Sequence, residues 1–166
     1  LYTGDMGYMH KSGFLYVLGR FKSLLISSDG EKYAPEGIEE SIIVNSRIIQ
    51  NIMLHNNQNP YTICVVQVDK KALPEGEAGI MAIKAEFDKY RSGGQFAGMF
   101  PERWLPTTFI IADEPFSEAN KMINSTMKLV RNAVEKAYAD RIDFAFTAEG
   151  KNPVNEANLA ALAKID

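Results

Sequence analysis

The sequence is poor in cysteine, has no excess of basic residues and contains no long hydrophobic run. Cys64 is the single cysteine among 166 residues, which excludes a disulfide within the chain and leaves too few sulfur atoms for a cysteine-based zinc site. A reducing, cytoplasmic setting is therefore expected. Lys and Arg number 18 against 21 Asp and Glu, for a net charge of −3, so the chain lacks the basic surface of a nucleic-acid-binding protein.

Its hydrophobic segments are also short. None approaches the roughly 20 apolar residues that a helix needs to cross a bilayer, and the first residues lack the charged and apolar regions of a signal peptide. The sequence starts at Leu1 without a methionine, as expected for a segment of a longer protein. A hydrophobic fraction of 46% suffices for one modest core.

The beginning of the chain predicts a short β-hairpin over residues 1–23. Turn-forming residues stand at Asp5-Met6-Gly7 and at Lys11-Ser12-Gly13, and the apolar run 14–18 ends at Gly19. This segment is too small to fold alone.

Residues 24–68 alternate between apolar runs and polar turns. The apolar runs predict strands at 24–26, 48–54 and 61–68, the last two forming a hairpin. A polar loop, 27–33, precedes Pro35, which suits the first turn of a helix because its missing N–H is not needed there. This helix should end near Asn45.

The second half of the chain predicts further helices around one strand. Ile80, Ile83 and Phe87 recur at three- and four-residue steps, which indicates an amphipathic helix over 74–90. The remaining predicted elements are an aromatic segment at 96–104 that packs over the sheet, a strand at 107–112, a helix at 126–139, and a tail at 141–166 with a weak helix at about 155–163. This order predicts an α+β fold: a small mixed β-sheet flanked by helices and preceded by a β-hairpin leader.

Four short motifs occur along this framework. They are Thr3-Gly4-Asp5, Gly19-Arg20, Asp29-Gly30-Glu31-Lys32-Tyr33, and Thr126-Met127-Lys128-Leu129 followed by Arg131. Together they resemble the junction between the large domain and the mobile C-terminal lid in AMP-forming acyl-CoA synthetases of the adenylate-forming superfamily. The sequence around Lys128 is similar to that of long-chain fatty acid–CoA ligases.

The resemblance implies that Asp5 and Arg20 bind the nucleotide. In the family, the aspartate of the Thr-Gly-Asp motif accepts hydrogen bonds from both ribose hydroxyls of ATP, a role that suits a carboxylate with two oxygens. Arg20 matches an arginine that reaches the nucleotide, where a planar guanidinium binds oxygens better than an ammonium does. From the residues alone, Asp5 is a turn residue and Arg20 a solvated charge at a strand end.

The resemblance also implies a hinge at Ser23 and a loop that moves into the active site. The family usually has an aspartate or lysine at the hinge, so Ser23 departs from the pattern, but a hinge needs permissive torsion angles more than a specific side chain. Gly30, Glu31 and Lys32 match the loop that lines the CoA channel during thioester formation, and a glycine lets backbone approach a ligand closely. The alternative is an ordinary strand-to-helix turn with solvated Glu31 and Lys32.

Lys128 matches the catalytic lysine of the family. An ammonium group can hold the carboxylate of the acid and the α-phosphate in line while pyrophosphate leaves. The alternatives are a solvated lysine at a helix start, where the helix dipole slightly disfavours positive charge, and Lys121, which lacks the Leu-x-Arg sequence that follows Lys128.

By this resemblance, residues 1–23 are the last hairpin and the hinge of the large nucleotide-binding domain, 24–140 form the lid, and 141–166 form a tail. ATP or AMP, a fatty acid and CoA are the expected substrates, and the large domain is the expected partner in cis. Mg²⁺ would arrive with ATP and would find no ligands in this chain, and the full enzyme could associate peripherally with a membrane. The phosphate loop, adenine motif and acyl pocket of the family are absent from the sequence, so the isolated chain is expected to fold without activating an acid.

Two other functions remain open from the sequence. One is a non-catalytic α+β module that keeps the lid fold and binds a protein or a lipid. The other is the lid of an adenylating enzyme that does not use CoA, such as a peptide-synthetase adenylation domain.

Overall fold

The computed structural model describes residues 4–20 and 23–165. In that part of the chain the strands are β1 (Asp5–Met9), β2 (Leu15–Arg20), β3 (Leu25–Ser27), β4 (Lys32–Tyr33), β5 (Ile49–His55), β6 (Asn57–Asn59), β7 (Ile63–Val68) and β8 (Thr108–Ile111). The helices are α1 (Glu36–Val44), α2 (Gly76–Asp88), α3 (Arg131–Ala137), α4 (Ala139–Ala145) and α5 (Glu156–Lys164), and short 3₁₀ turns lie at Lys70–Ala72 and Glu102–Trp104. The predicted α+β fold is confirmed.

Strands β1 and β2 form an antiparallel hairpin. Residues 5–7, predicted as a turn, are instead the start of β1, because pairing with β2 satisfies their backbone groups. Apolar side chains of the hairpin are about half exposed or more: Tyr8, Met9, Phe14, Leu15, Tyr16 and Val17. Neither buried cluster of the protein includes a described residue of the hairpin.

A three-stranded sheet with β7 in its centre forms the middle of the protein. Strand β5 pairs with β7 in antiparallel orientation, as predicted, and β8 pairs with β7 in parallel orientation. Successive residues of a strand point to opposite faces, and β7 is apolar on both: Cys64 and Val66 belong to one buried cluster, Ile63 and Val65 to another. The continuous apolar run in the sequence therefore reflects a strand that is covered on both sides.

The two clusters lie on opposite faces of this sheet. The first cluster contains buried residues of α1, α2 and α5: Ile38, Ile42, Ile80, Ile83, Phe87, Ala161 and Leu162. The second contains buried residues of α3, α4 and their flanks: Val134, Tyr138, Ile142 and Ala145. The predicted packing of the aromatic segment is confirmed, because Phe96, Phe100 and Trp104 pack against the first cluster. Burial raises the pKa of the Cys64 thiol well above its usual value, which keeps that thiol unreactive.

A second small sheet carries the loop that contains Gly30. Strand β3 lies between β4, to which it is antiparallel, and β6, to which it is parallel. The sequence did not predict β4 or β6, which are polar strands of two and three residues. Such short segments carry too few residues for a periodic pattern.

The predicted helix over 126–139 is wrong in its first turn. Residues 126–130 are not helical, and the segment is divided into α3 and α4 at Tyr138. The side chain of Asn124 accepts hydrogen bonds from the backbone N–H groups of Thr126 and Lys128 at 3.0 and 2.9 Å, respectively. These bonds compete with helix formation, which therefore starts only at Arg131.

The prediction of a tail from residue 141 is corrected by α4 and α5, which pack into the two clusters. Asn158 of α5 is buried, and its side chain accepts a hydrogen bond from the N–H of Ile111 at 3.1 Å and donates one to the carbonyl of Phe109 at 2.9 Å. The amide thereby supplies hydrogen-bond partners to backbone groups of β8 that no strand in the described part of the chain binds. A buried polar residue weakens the apolar pattern of α5, which explains why its packing was not predicted.

No helix in residues 4–20 and 23–165 has the length and apolarity needed to cross a bilayer. Across the same residues, no group of three or more His, Cys, Asp or Glu side chains is arranged to hold a metal ion.

Candidate functional site

Lys128 lies in a tight turn that an antiparallel bridge between Ile123 and Leu129 closes. The backbone N–H of Asn124 donates to the carbonyl of Lys128 at 2.9 Å. The Oδ1 atom of Asn124 accepts from the backbone N–H of Lys128 at 2.9 Å, and from the N–H and the hydroxyl of Thr126 at 3.0 and 2.8 Å. Asn124 therefore binds both backbone polar groups of Lys128.

Met127, at the tip of this turn, has a left-handed backbone conformation with φ of 59°. Such a conformation costs a residue with a side chain about 1–3 kcal/mol. Met127 is 74% exposed, so core packing does not offset this cost. Its N–H donates to the carbonyl of Asn124 at 2.9 Å, and the hydrogen bonds of the turn hold the strained conformation.

The base of the turn is anchored in the second buried cluster. Met122 and Ile123 are buried there, and Leu129 packs against the same cluster. The N–H of Val130 donates to the carbonyl of Met122 at 2.8 Å. The side chain of Lys128 is exposed, and its ammonium group has no ion-pair or hydrogen-bond partner within residues 4–20 and 23–165. The turn thus presents a free positive charge on a fixed backbone.

Lys121, the alternative candidate, lies before the buried base of the turn. It is exposed and has a left-handed backbone with φ of 61°. Its N–H donates to the carbonyl of Glu118 at 3.1 Å. The turn that Asn124 organises therefore holds Lys128 at its end and leaves Lys121 outside.

Arg131, which follows the Lys128 turn, forms an ion pair that sequence reasoning missed. Its Nη2 binds Oε2 of Glu39 at 2.5 Å, and its Nη1 donates to the carbonyl of Leu54 at 3.1 Å. Oε1 of Glu39 accepts from the N–H of Leu54 at 2.6 Å. Burial raises the pKa of the Glu39 carboxyl, and the guanidinium opposes this rise. The sequence contains one sign that Glu39 is buried. Glu39 lies three residues before the buried Ile42 in α1, and residues at this spacing share a helix face.

Gly30 lies in the loop between β3 and β4. Its backbone is left-handed, with φ of 84°, and its N–H donates to the carbonyl of Ser27 at 2.9 Å. A Cβ atom at this position would meet no atom within 4 Å. Glycine is therefore required here by the backbone conformation, and the space beside it is open.

Glu31 anchors this loop to a distant part of the chain. Its carboxylate accepts from Nε and Nη2 of Arg103 at 2.6 Å each, and from the indole N–H of Trp104 at 3.0 Å. Trp104 stacks on Tyr33 with ring centroids 5.1 Å apart, and the Tyr33 hydroxyl is hydrogen-bonded to Thr62. The hydrogen bond from Arg103 lowers the pKa of the Glu31 carboxyl. The interpretation of Glu31 as a solvated side chain is therefore wrong. Lys32 lies in β4 with an exposed side chain.

The hairpin register brings Asp5 and Arg20 to the same end of the leader. These residues are directly opposite each other in the two strands. The structure describes the backbone of Arg20, whereas Thr3 of the first motif lies outside the described residues.

Ser23, the hinge candidate, contacts the first turn of α1. Its hydroxyl donates to Oε1 of Glu36 at 2.6 Å. The hinge candidate is therefore linked to α1, the helix that follows the Gly30 loop.

The Gly30 loop and the Lys128 turn are anchored on opposite faces of the central sheet. Tyr33, at the end of the Gly30 loop, belongs to the first buried cluster, and Met122 and Ile123, at the base of the Lys128 turn, belong to the second. Two exposed loops with different chemistry are thereby fixed to one small rigid support.

Residues 22–150 match the family of AMP-binding enzyme C-terminal domains. Long-chain-fatty-acid–CoA ligase ACSBG1 of Bos taurus is 28% identical in an alignment that covers 92% of this chain and 25% of the ligase. Long-chain-fatty-acid–CoA ligase ACSBG2 of Xenopus laevis is also 28% identical, over 90% of this chain and 24% of the ligase. The chain therefore spans about a quarter of the length of these relatives.

A solved structure with the same fold is the A-PCP didomain of carboxylic acid reductase from Segniliparus rugosus in complex with AMP. It is similar with a TM-score of 0.74 and 23% identity, over 90% of this chain and 21% of the didomain chain. Because the family match covers most of the sequence and the fold agrees with it, the chain belongs to the family of C-terminal domains of AMP-binding enzymes.

Proposed function

We propose that this chain is the C-terminal lid of an ATP-dependent, AMP-forming fatty acid–CoA ligase and that it contributes to both half-reactions. The observation that carries the proposal is the Lys128 turn, which presents an exposed ammonium on a backbone fixed by Asn124. The names of the curated relatives support a long-chain fatty acid as the substrate.

Lys128 serves the first half-reaction. A carboxylate oxygen of the acid attacks the α-phosphorus of ATP, the bond to the bridging oxygen breaks, and pyrophosphate leaves with the bond electrons. The ammonium group of Lys128 holds the two anions in line and offsets the charge that develops in the transition state. Mg²⁺ bound to ATP would offset charge on the phosphates and would need no ligand from this chain.

The Gly30 loop serves the second half-reaction, in which the CoA thiolate attacks the acyl carbonyl and AMP leaves. The open space beside Gly30 and the firm attachment of Glu31 to Arg103 and Trp104 support a role as a channel wall. Lys32, exposed in the following strand, is the third residue of this wall.

A rotation of the lid about Ser23 presents the two loops to one active site in turn. The anchoring of the loops on opposite faces of the sheet supports this proposal, since one orientation cannot direct both faces at the same point. Asp5 and Arg20 remain with the large domain and hold the nucleotide, which their opposed register supports. Residues 1–23 and 24–140 are the proposed division between the two domains.

The test is a matched pair of variants in the full-length ligase, Lys128→Gln and Lys121→Gln. Glutamine removes the charge and leaves the Cβ atom and backbone preferences in place. We expect Lys128→Gln to slow acid-dependent pyrophosphate release by about 100- to 1000-fold, as for loss of a group that stabilises developing charge. Lys121→Gln should remain within about twofold of the parent rate.

Thioester formation from supplied acyl-adenylate and CoA provides the second measurement. This step should change little in Lys128→Gln, because the phosphoryl chemistry is already complete. Unchanged adenylation in Lys128→Gln would contradict the proposal and favour a non-catalytic binding module. Adenylation without any thioester formation by the parent enzyme would favour an adenylating enzyme that does not use CoA.

The isolated chain should have no acid-activating activity of its own. Added to a large domain that lacks its lid, it should restore adenylation, and the Lys128→Gln chain should not.

A further inference from the structure

We propose that Asn124 is the positioning residue for Lys128, an inference that rests on the proposed function of that lysine. Asn124 binds the N–H of Lys128 through its side chain and the carbonyl of Lys128 through its backbone, both at 2.9 Å. Fixing both polar groups of one residue fixes its backbone torsion angles, and these set the direction in which its side chain leaves the chain. Asn124 thus acts on the ammonium of Lys128 through the backbone.

The side chain of Asn124 acts as a hydrogen-bond acceptor, and its short length places Oδ1 within reach of the backbone of the turn. Its Oδ1 receives the N–H of Thr126, the hydroxyl of Thr126 and the N–H of Lys128. Asparagine and aspartate share this short reach to backbone groups further along the chain. Aspartate therefore preserves these contacts, whereas alanine removes all three.

The strained residue next to Lys128 makes this acceptor necessary. Met127 has φ of 59° and is 74% exposed, so hydrogen bonds within the turn keep it in the left-handed region. The Asn124 side chain binds the N–H groups of Thr126 and Lys128, which lie on either side of Met127. Without that acceptor only the backbone bonds that join Asn124 to Met127 and Lys128 remain across the tip of the turn, so Met127 relaxes towards ordinary torsion angles and Lys128 turns with it. The charge of Lys128 is then retained and misplaced, and a misplacement of about 1 Å can cost about 100-fold in rate.

The base of the turn is independent of the Asn124 side chain. The hydrogen bond between Val130 and Met122, at 2.8 Å, joins backbone groups only, and Met122 and Ile123 are buried in the second cluster. Asn124 itself is exposed. Loss of its side chain should therefore leave the lid folded.

The experiment compares Asn124→Ala, Asn124→Asp and Asn120→Ala in the full-length ligase. Asn120 is a matched control because its Oδ1 accepts backbone N–H groups of Ser117 and Met122 at 3.0 and 3.2 Å in the same segment, without contacting Lys128. Asn124→Ala should lower kcat for adenylation by about 10- to 100-fold with KM for ATP nearly unchanged. Asn124→Asp should recover most of this loss, and Asn120→Ala should stay within about threefold of the parent enzyme.

Thioester formation from supplied acyl-adenylate separates positioning from loosening of the fold. A positioning role leaves this step within about twofold of the parent rate in Asn124→Ala, because the step does not use Lys128. Equal losses in both half-reactions, an equal loss in Asn120→Ala, or no rescue by Asn124→Asp would overturn the inference.

The double variant Asn124→Ala/Lys128→Gln distinguishes this inference from the proposed function. If Asn124 acts through Lys128, the double variant should be no slower than Lys128→Gln alone. Additive losses would overturn the positioning role and leave the role of Lys128 intact. A normal adenylation rate in Lys128→Gln would remove the proposed function itself and this inference with it.

Discussion

The Gly30 loop and the Lys128 turn are both exposed, but interactions of different range hold them in place. Glu31 of the Gly30 loop binds Arg103, which is 72 residues away in the sequence. The Lys128 turn is held by Asn124, which lies only four residues before Lys128. One loop therefore depends on the packing of the whole domain, whereas the tip of the other is organised by its own sequence.

Because one loop is held by a distant charged pair and the other by local hydrogen bonds, the two loops respond differently to solution conditions and to domain motion. A loop attached through a charged pair at the surface responds to salt, to pH and to shifts of its distant partner. A turn closed by local hydrogen bonds keeps its geometry while the surrounding domain moves. The second arrangement suits the proposed role of Lys128, which requires the ammonium group to reach the same point in every cycle.

The largest expected effect comes from breaking the long-range anchor behind the Lys128 turn. Arg131→Met leaves the buried carboxylate of Glu39 without its partner and should lower the free energy of unfolding by about 3–5 kcal/mol. The double variant Glu39→Gln/Arg131→Met should be more stable than Arg131→Met, because glutamine is neutral and can still accept from Leu54. Urea denaturation measures both, and Arg47→Met, at an exposed site, should change stability by less than about 0.5 kcal/mol.

The pH dependence of the Arg131→Met deficit follows from the raised pKa of Glu39. Burial raises this pKa above its ordinary value of 4.5, so the folded state favours the protonated carboxyl. The stability linked to that group is fully present below pH 4.5 and is lost as the pH rises through the folded-state pKa. The deficit should therefore shrink as the pH falls towards 4.5, and a constant deficit would mean that Glu39 is not the cause.

A smaller effect is expected from Gly30→Ala, which tests the backbone of the other loop. The left-handed conformation at this position should cost about 1–2 kcal/mol once a Cβ atom is present. Gly37→Ala is the matched control, because Gly37 lies in α1 and alanine there should add about 0.5–1 kcal/mol of stability. Under the proposed function, Gly30→Ala in the full-length protein should slow thioester formation and spare adenylation. Similar shifts in stability for the two glycines would argue against conformational strain at Gly30.

The smallest effect is expected from Glu31→Gln, which removes the charge of the surface anchor. The hydrogen bond from Arg103 lowers the pKa of Glu31 below its ordinary value of 4.5. The stabilisation is therefore present above pH 4.5 and is lost as the pH falls through the folded-state pKa. The urea midpoints of the parent chain and of Glu31→Gln should differ slightly at neutral pH and low salt.

Two conditions should abolish this difference between the midpoints. They should converge once the pH has fallen below the lowered folded-state pKa of Glu31, and in about 1 M salt, where charges are screened over roughly 3 Å. Exposed Glu149→Gln serves as the control and should follow the parent chain throughout. A difference that persists in high salt would show that Glu31 acts by packing and not by charge.

Much of the fold could be predicted because its strongest elements have clear periodicity. The apolar steps at Ile80, Ile83 and Phe87 correctly indicated α2, and the apolar run before Asp69 correctly indicated β7. The short strands β4 and β6 could not be predicted, since each exists only through pairing with β3. The packing of α5 was missed because the residue that binds the edge of β8 is the polar Asn158.

Sequence motifs were sufficient to indicate the family, the α+β order of elements and the candidate residues Asp5, Arg20, Gly30 and Lys128. These features depend on motifs and on spacing within single segments, which a linear reading can detect. Only the tertiary structure decided that Glu31 binds Arg103 and that Glu39 binds Arg131, since these partners lie 72 and 92 residues apart. Which charges become paired, and how deeply they are buried, depends on packing that a sequence pattern does not contain.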